Sequence, residues 1–276
     1  MTETHRLVHR SPYGSDATPR YFVPSVDTAA RVLALLSRYS TKSLTLSEIM
    51  TSLKVSKATC LRVLKTLEMH GLLKFEAASK RYSLGYYCVV LGARAEEGLD
   101  YLAYVRPLLV EAARQTELTA VFVQRVGADR MMYVAKEEPQ RATSINVSIG
   151  NRFPITDVSY GKWVLAYAGA EERAQLVAGG LRQMTASTVV DPDRYLAEIE
   201  SAYREGLLTS ESEYVRGVTA VSCPVIDVQS NLVGVVAVLG FTEALQGNAL
   251  EDVRAAVRDI AERAIFDGSS MSESAR

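Results

Sequence analysis

With 276 residues, 48% of them hydrophobic and 23% charged, the chain has the composition of a soluble globular protein with room for two ordinary domains, which excludes disorder of the whole. Its net charge of -1 hides a division: Arg20 to Gly85 carries eleven Lys or Arg against four Asp or Glu, a balance of +7, whereas Tyr86 to Arg276 carries eighteen against twenty-six, a balance of -8. A small basic module joined to a larger acidic one is the pattern expected when only the first meets a polyanion. No apolar run reaches the roughly 20 residues that span a bilayer, and the polar start MTETHRLVHRSPYGSDATPR lacks the apolar core of a signal peptide, so a cytoplasmic location without a membrane partner is expected. Three cysteines, Cys60, Cys88 and Cys223, lie far apart and fit reduced thiols better than a disulfide framework; none has metal-ligand spacing.

Residues 1–22 read as a flexible arm and residues 267–276, DGSSMSESAR, as a frayed tail. From Ser25 to Tyr39, SVDTAARVLALLSRY carries Val26, Ala29, Ala30, Leu33 and Leu36 at helical spacing behind a Ser25 cap. TLSEIMTSLKV gives a short second helix behind a Thr or Ser cap, with Ile49 and Leu53 one turn apart. Ser56 then caps a third helix in VSKATCLRVLKTLEMHGLLKF: Cys60, Val63, Leu64 and Leu67 form its buried stripe, and Ala58, Arg62 and Lys65 fall on the opposite face. Leu72 to Phe75 and Arg81 to Leu84 read as two strands joined by a loop containing Ala-Ala-Ser. Three helices and a hairpin predict a winged helix-turn-helix over residues 23–85.

The third helix completes its buried stripe without Lys57, Thr59, Arg62 and Lys65, which are therefore either ordinary solvated side chains or contacts to a partner. In a helix-turn-helix this helix enters the major groove, its first turns at the base edges. Lys57, Thr59 and Arg62 are placed for that: Arg62 can give guanine two hydrogen bonds, Thr59 can bond either way or offer its methyl to thymine, and Ala58 permits close approach. Lys65, Lys80 and Arg81 are placed for phosphates, the last two from the wing. Cap, turn, basic face and hairpin in this order favour double-stranded DNA. A protein partner would call for an apolar or acidic outer face, where only Leu61 and Met69 are apolar.

Residues 86–99 read as a linker helix and residues 100–266 as a second domain. GLDYLAYVRPLLVEAARQT is helical with an interruption at Pro107. TAVFVQRV, DRMMYVAKEE and TSINVSI follow as strands, VSYGKWVLAYA and DPDRYLAEIESAYREG as helices, then LLTSESEY, VTAVSCPVID and LVGVVAVLGF as strands. ALEDVRAAVRDIAERAIF closes the chain as a long helix. Meander-like strands between helices predict a layered α+β sheet.

The histidines, His5, His9 and His70, all precede this second domain, which removes the usual Ser-His-Asp, Cys-His and His-bearing metal sites from it. No phosphate-cradling glycine motif occurs, and no cofactor or metal is expected. A Lys-based enzyme using Lys162 is conceivable, but a Lys near a helix start pairing with a carboxylate is the simpler reading.

Four segments resemble the isocitrate lyase regulator (IclR) family of bacterial transcription factors over about Ser25 to Ile265: SVDTAARVLALL, VSKATCLRVLKTLEMHGLL, IGNRFPITDVSYGKWVLA and ESEYVRGVTAVSCPVIDVQSNLVGVVAVLGF. The resemblance implies an N-terminal winged helix, a helical linker and a C-terminal GAF-like effector-binding domain, assembled as dimers or tetramers on palindromic operators. Lys57, Ala58, Thr59, Leu61 and Arg62 match the family's recognition positions, with Ala58 where Ser is common, which removes one hydroxyl contact. By the same resemblance the effector pocket is bounded by Val158, Ser159, Tyr160 and Gly161, by a strand holding Glu211 and Glu213 on one face, by Ala220, Ser222 and Cys223, and by Ala237 and Leu239. Small-carboxylate sensors of the family carry small polar side chains on that last strand and a compact residue before the Gly-Lys pair. Ala237, Leu239 and Tyr160 instead imply a larger or more apolar effector, such as an aromatic catabolic intermediate. The competing expectation is a filled, occluded pocket or a catalytic C-terminal domain, leaving a protein-interaction module or a Lys-based enzyme.

Overall fold

Pro24, whose missing N–H costs nothing in the first turn of a helix, opens α1 (Pro24–Leu36) in the computed structural model, which describes residues 21–38, 41–97, 100–139 and 144–267. The expected Ser25 cap is not used: Val23 is the N-cap without a side-chain bond, and Thr28 Oγ1 donates to Pro24 O at 2.8 Å. The inward face also differs, with Thr28, Val32, Leu35 and Leu36 buried and Val26 64% exposed. Apolar residues lie on nearly every side of this helix, so their spacing leaves its phase open. A two-residue strand, β1 (Leu44–Thr45), leads into α2 (Leu46–Leu53). There Thr45 and Glu48 form a capping box: Thr45 Oγ1 accepts the Glu48 N–H at 3.3 Å and Glu48 Oε2 the Thr45 N–H at 2.7 Å. Ser56 caps α3 (Lys57–Met69), whose Cys60, Val63, Leu64 and Leu67 are buried as the spacing predicts. The hairpin β2 (Leu73–Glu76) and β3 (Arg81–Leu84) completes an antiparallel sheet of order β1-β3-β2.

The chain forms two compact units, divided between Val89 and Val90 inside α4 (Tyr87–Glu97). In the second unit, α5 (Asp100–Thr116) runs through Pro107 without a break. Burial of Leu102, Val105, Leu108, Leu109, Ala112 and Ala113 outweighs the roughly 3 kcal/mol that an internal proline costs. The strands β4 (Thr119–Val126), β5 (Arg130–Glu137) and β6 (Arg152–Pro154) precede a 3-10 turn at Ile155–Asp157 and the helices α6 (Gly161–Tyr167), α7 (Ala170–Ala178) and α8 (Pro192–Glu205). Then come β7 (Leu208–Glu211), β8 (Val218–Asp227), β9 (Leu232–Phe241), α9 (Asn248–Arg263) and β10 (Ile265–Phe266). Sheet order is β10-β8-β9-β4-β5-β6, with β7 also paired to β8. Strand alternation sends Val221, Cys223, Val225, Val236 and Val238 into a core with α5 and α9, and Ala220, Val235, Ala237 and Leu239 into a second core with α6 and α8.

Three expectations are corrected here. No strand forms over the described part of TSINVSI: residues 144–148 are irregular, and β6 takes the free edge of β5 instead. Ile145 and Val147 still pack on the core, which accounts for their alternation. The last helix stops at Arg263, because Ile265 and Phe266 pair in parallel with Ile226 and Asp227. The strand carrying Glu211 ends there, so Glu211 and Glu213 do not share a strand face: Ser212 turns the chain at φ 56°, Glu211 is exposed and Glu213 is drawn inward. The expected arm and tail lie almost wholly outside the described residues.

Candidate DNA interface and effector chamber

Helical geometry puts Ala58, Arg62, Lys65 and Met69 farthest from the buried stripe of α3, with Thr59 and Thr66 on one flank and Lys57 and Leu61 on the other. All are exposed apart from the helix backbone, Leu61 at 40% and Met69 at 75%. Thr59, Arg62 and Thr66 wall one side of a groove of about 470 Å3; Ser25, Val26 and Ala29 of α1 wall the other.

The cations divide into spent and free. Lys65 Nζ bonds Glu68 Oε2 at 2.8 Å, which raises its pKa, and lies 5.0 Å from the centroid of Phe75. Arg81 donates to Ser43 Oγ at 3.0 Å and Ser43 O at 2.8 Å and stands 3.2 Å from Glu48, fastening the wing to the start of α2. The side chains of Lys57, Arg62 and Lys80 make no hydrogen bond or ion pair among the described residues. Lys80 holds a left-handed backbone, φ 54°, at the tip of the wing. The Thr59 hydroxyl accepts from Ser56 Oγ at 2.9 Å.

In the second unit the sheet face toward α6 and α8 is ordered by register. Ser210, Ala220, Leu239 and Thr119 form one cross-strand row, and Leu208, Ser222, Ala237 and Val121 the next. Ser222 Oγ accepts the indole N–H of Trp163 at 2.9 Å, which ties α6 to the sheet. Cys223, next along β8, points to the opposite layer and is not brought together with Ala220 and Ser222; burial pushes its thiol up to about 12. Above the rows sits the turn Val158-Ser159-Tyr160-Gly161. Gly161 is required there, since a Cβ would stand 1.7 Å from Ile155 O.

Of the residues that dominate this packed interior, the sequence pointed to Tyr160, Glu213 and a paired Lys162, and missed Glu198, Tyr133, Phe153, Tyr195 and Tyr214. Lys162, 1% exposed, bonds Glu198 Oε2 at 2.6 Å and Glu213 Oε2 at 2.9 Å. It is thus a buried cation held between two carboxylates, as the simpler reading of Lys162 had it. Tyr133, Phe153, Tyr160 and Tyr214 pack around the turn with ring centroids 5.0 to 6.2 Å apart. Burial pushes Tyr133 up to about 12 and Tyr160 well above the usual phenol range. Tyr195 is also raised, first by burial and then by Glu213, Glu198 and Asp157, so its hydroxyl remains a donor; it has no hydrogen-bond partner among the described residues. Asp157, buried and raised by that burial, pairs with Arg182. The segment carrying Arg182 is fastened by Thr185 Oγ1 to Ser212 O at 2.6 Å and by Thr188 Oγ1 to Glu213 O at 2.6 Å. Spacing could have flagged only Lys162; the tyrosines come from four elements and carry no local signal.

Two family models match the chain: the IclR helix-turn-helix domain over residues 25–77 and the bacterial transcriptional regulator IclR C-terminal domain over residues 94–265, the latter alone more than half of the chain. The chain belongs to the IclR family. It is a DNA-binding transcriptional regulator with a winged N-terminal domain and an α+β effector-binding C-terminal domain. It is 26% identical to the HTH-type transcriptional regulator KipR of Bacillus subtilis over 236 residues, covering 85% of this chain and 94% of KipR. The IclR transcriptional regulator of Alicyclobacillus acidocaldarius is 36% identical, with a TM-score of 0.81 over 88% of this chain and 98% of that one. An IclR homolog from Microbacterium hydrocarbonoxydans, solved with 4-hydroxybenzoate, shares the fold at 20% identity, TM-score 0.75, over 87% and 97% of the two chains. The residues around Lys162 therefore fall within the matched effector-binding domain and Lys57 and Arg62 of α3 within the matched helix-turn-helix domain, with Lys80 of the wing just beyond its last matched residue.

Proposed function

We propose that this regulator acts in the cytoplasm as a homo-oligomer, a dimer or a tetramer, on a palindromic operator whose half-sites lie about 34 Å or a multiple apart. In this reading residues 23–85 bind DNA, residues 86–99 link the domains and residues 100–266 bind the effector. Arg62 and Thr59 choose the sequence, with Ala58 and Leu61 against the bases. Lys57 and Lys80 hold phosphates, joined by Lys65 and Arg81 to the extent that Glu68, Ser43 and Glu48 release them. The observation that carries this assignment is the freedom of Lys57 and Arg62 on a face of α3 that packing does not need, and of Lys80 at the tip of the wing. An oligomer is supported by α4, where Val89, Val90 and Leu91 are exposed together.

The effector is a small aromatic compound bearing a hydrogen-bond acceptor, seated by Val158 to Gly161, Ala220, Ser222, Ala237, Leu239 and Glu213. Five aromatic side chains, the unpartnered Tyr195 hydroxyl, and a Lys162 already matched by two carboxylates support an apolar ring over a small oxo-acid. The domain acts as a sensor rather than an enzyme, in keeping with relatives named as regulators and with Lys162 locked in ion pairs. Fluorescence anisotropy of the full chain, on DNA upstream of its own gene and on a random duplex over a salt series, tests the DNA assignment. Arg62→Ala is expected to cost about 1–3 kcal/mol on the operator and little on random DNA, while Lys80→Ala weakens both and lowers the salt slope by about 1. Equal losses for Arg62→Ala on both duplexes would overturn its role as a base reader.

A further inference from the structure

A cavity of about 400 Å3, separate from the chamber, lies between the end of α6, the start of α7 and α8, and is lined by Ala166, Arg173, Ile199, Glu200, Tyr203 and Arg204. Ala166 and Ile199 give it an apolar floor. Tyr203, more than half exposed, stands edge-on to Tyr167 with centroids 5.3 Å apart. Arg173 gives Nε to Leu165 O at 2.8 Å and Nη2 to Ala166 O and Ala168 O at 3.4 Å, holding the carbonyl end of α6 and leaving Nη1 unused. Arg204 uses only Nε, on Glu200 O at 3.4 Å. Neither guanidinium has a carboxylate partner among the described residues, although most arginines of this domain do. The unused Nη1 and Nη2 of Arg204 and the remaining Nη1 of Arg173, beside an aromatic ring and an apolar floor, are the elements that recognise a carboxylate on a flat apolar body. The Glu200 carboxylate leaves the lining at a net single positive charge, which selects a monoanion over a dianion.

We propose that this cavity is a second ligand site, for an organic monocarboxylate with a flat apolar body, bound by Arg204 and Arg173 with Tyr203 against its ring. Ala166 lies three residues beyond Trp163, and Ile199 follows Glu198, so the site is walled by the two helices that carry Lys162, Trp163 and Tyr195. A ligand here therefore bears on the chamber through α6 and α8, and the two sites modulate each other reciprocally.

Isothermal titration of the full chain with benzoate, and with neutral benzamide as control, decides the matter. Arg204 and Tyr203 are exposed, so Arg204→Ala and Tyr203→Ala are expected to fold, which circular dichroism checks. Wild type is expected to bind benzoate and not benzamide, and Arg204→Ala to weaken benzoate by roughly tenfold. Tyr203→Ala is expected to weaken it less, and Tyr195→Phe to leave it unchanged. Absence of benzoate binding, unchanged affinity in Arg204→Ala, or loss confined to Tyr195→Phe, which would place benzoate in the chamber, each overturns the proposal. The aromatic effector reading can fail without affecting this result, since it depends on Tyr195 and not on Arg204.

Discussion

The two domains keep their functional side chains in opposite places. On α3 the core is finished by Cys60, Val63, Leu64 and Leu67, and the residues proposed to meet DNA project from the far side, so they can change with little effect on folding. In the C-terminal domain Tyr160, Lys162, Trp163 and Ser222 are core and chamber at once. A reading surface can be tuned residue by residue, whereas a sensing interior can be altered only at the expense of its own packing.

That contrast is most easily broken at Lys162. Lys162→Met leaves Glu198 and Glu213 facing each other without their cation and is expected to cost about 3–5 kcal/mol, less whatever relief solvent gives the partly exposed Glu198. Calorimetry should show the C-terminal transition falling while that of the N-terminal domain stays put. Gly161→Ala, with its new Cβ driven into Ile155 O, is expected to cost about 3 kcal/mol in the same domain and to leave α3 untouched. Arg62→Ala should do the reverse, leaving both thermal transitions in place while removing discrimination between operator and random DNA.

The effect confined to the narrowest conditions is the pH dependence. Burial raises Tyr133, Tyr160, Tyr195 and Cys223, so from about pH 9 to about pH 12 the unfolded chain has lost protons that the folded one retains, and stability falls as pH rises. Each contributes up to about 1.4 kcal/mol per pH unit in that window. The N-terminal domain has Cys60 and Tyr82 raised by burial, so its slope should be shallower. Urea titrations from neutral to alkaline pH would measure both.

How much could be read beforehand follows the same division. The helix-turn-helix was legible because its signals are local: Thr45 and Ser56 caps, the 3.6-residue stripe of α3, the short hairpin. Even there α1 misled, since apolar residues all round it hid the buried face. Strands β4, β8 and β9 were legible from runs of apolar, β-branched residues. The chamber was not, because Lys162 meets Glu198 and Glu213 across 36 and 51 residues of sequence, and only the fold makes them neighbours. Cys223 shows the same limit: the pattern located its strand, but one step of alternation places it on the wrong layer for a ligand.

The central claim, that reading is done on the outside of one domain and sensing inside the other, is tested most directly by a crossed measurement on Arg62→Ala and Tyr195→Phe. Operator binding is followed by anisotropy with and without 4-hydroxybenzoate as the aromatic probe. Arg62→Ala should lose operator preference while the C-terminal domain still binds the probe, and Tyr195→Phe should bind the operator like wild type but no longer respond to the probe. An Arg62→Ala protein that still prefers its operator, or a Tyr195→Phe protein whose response to the probe matches wild type, would contradict that division of labour.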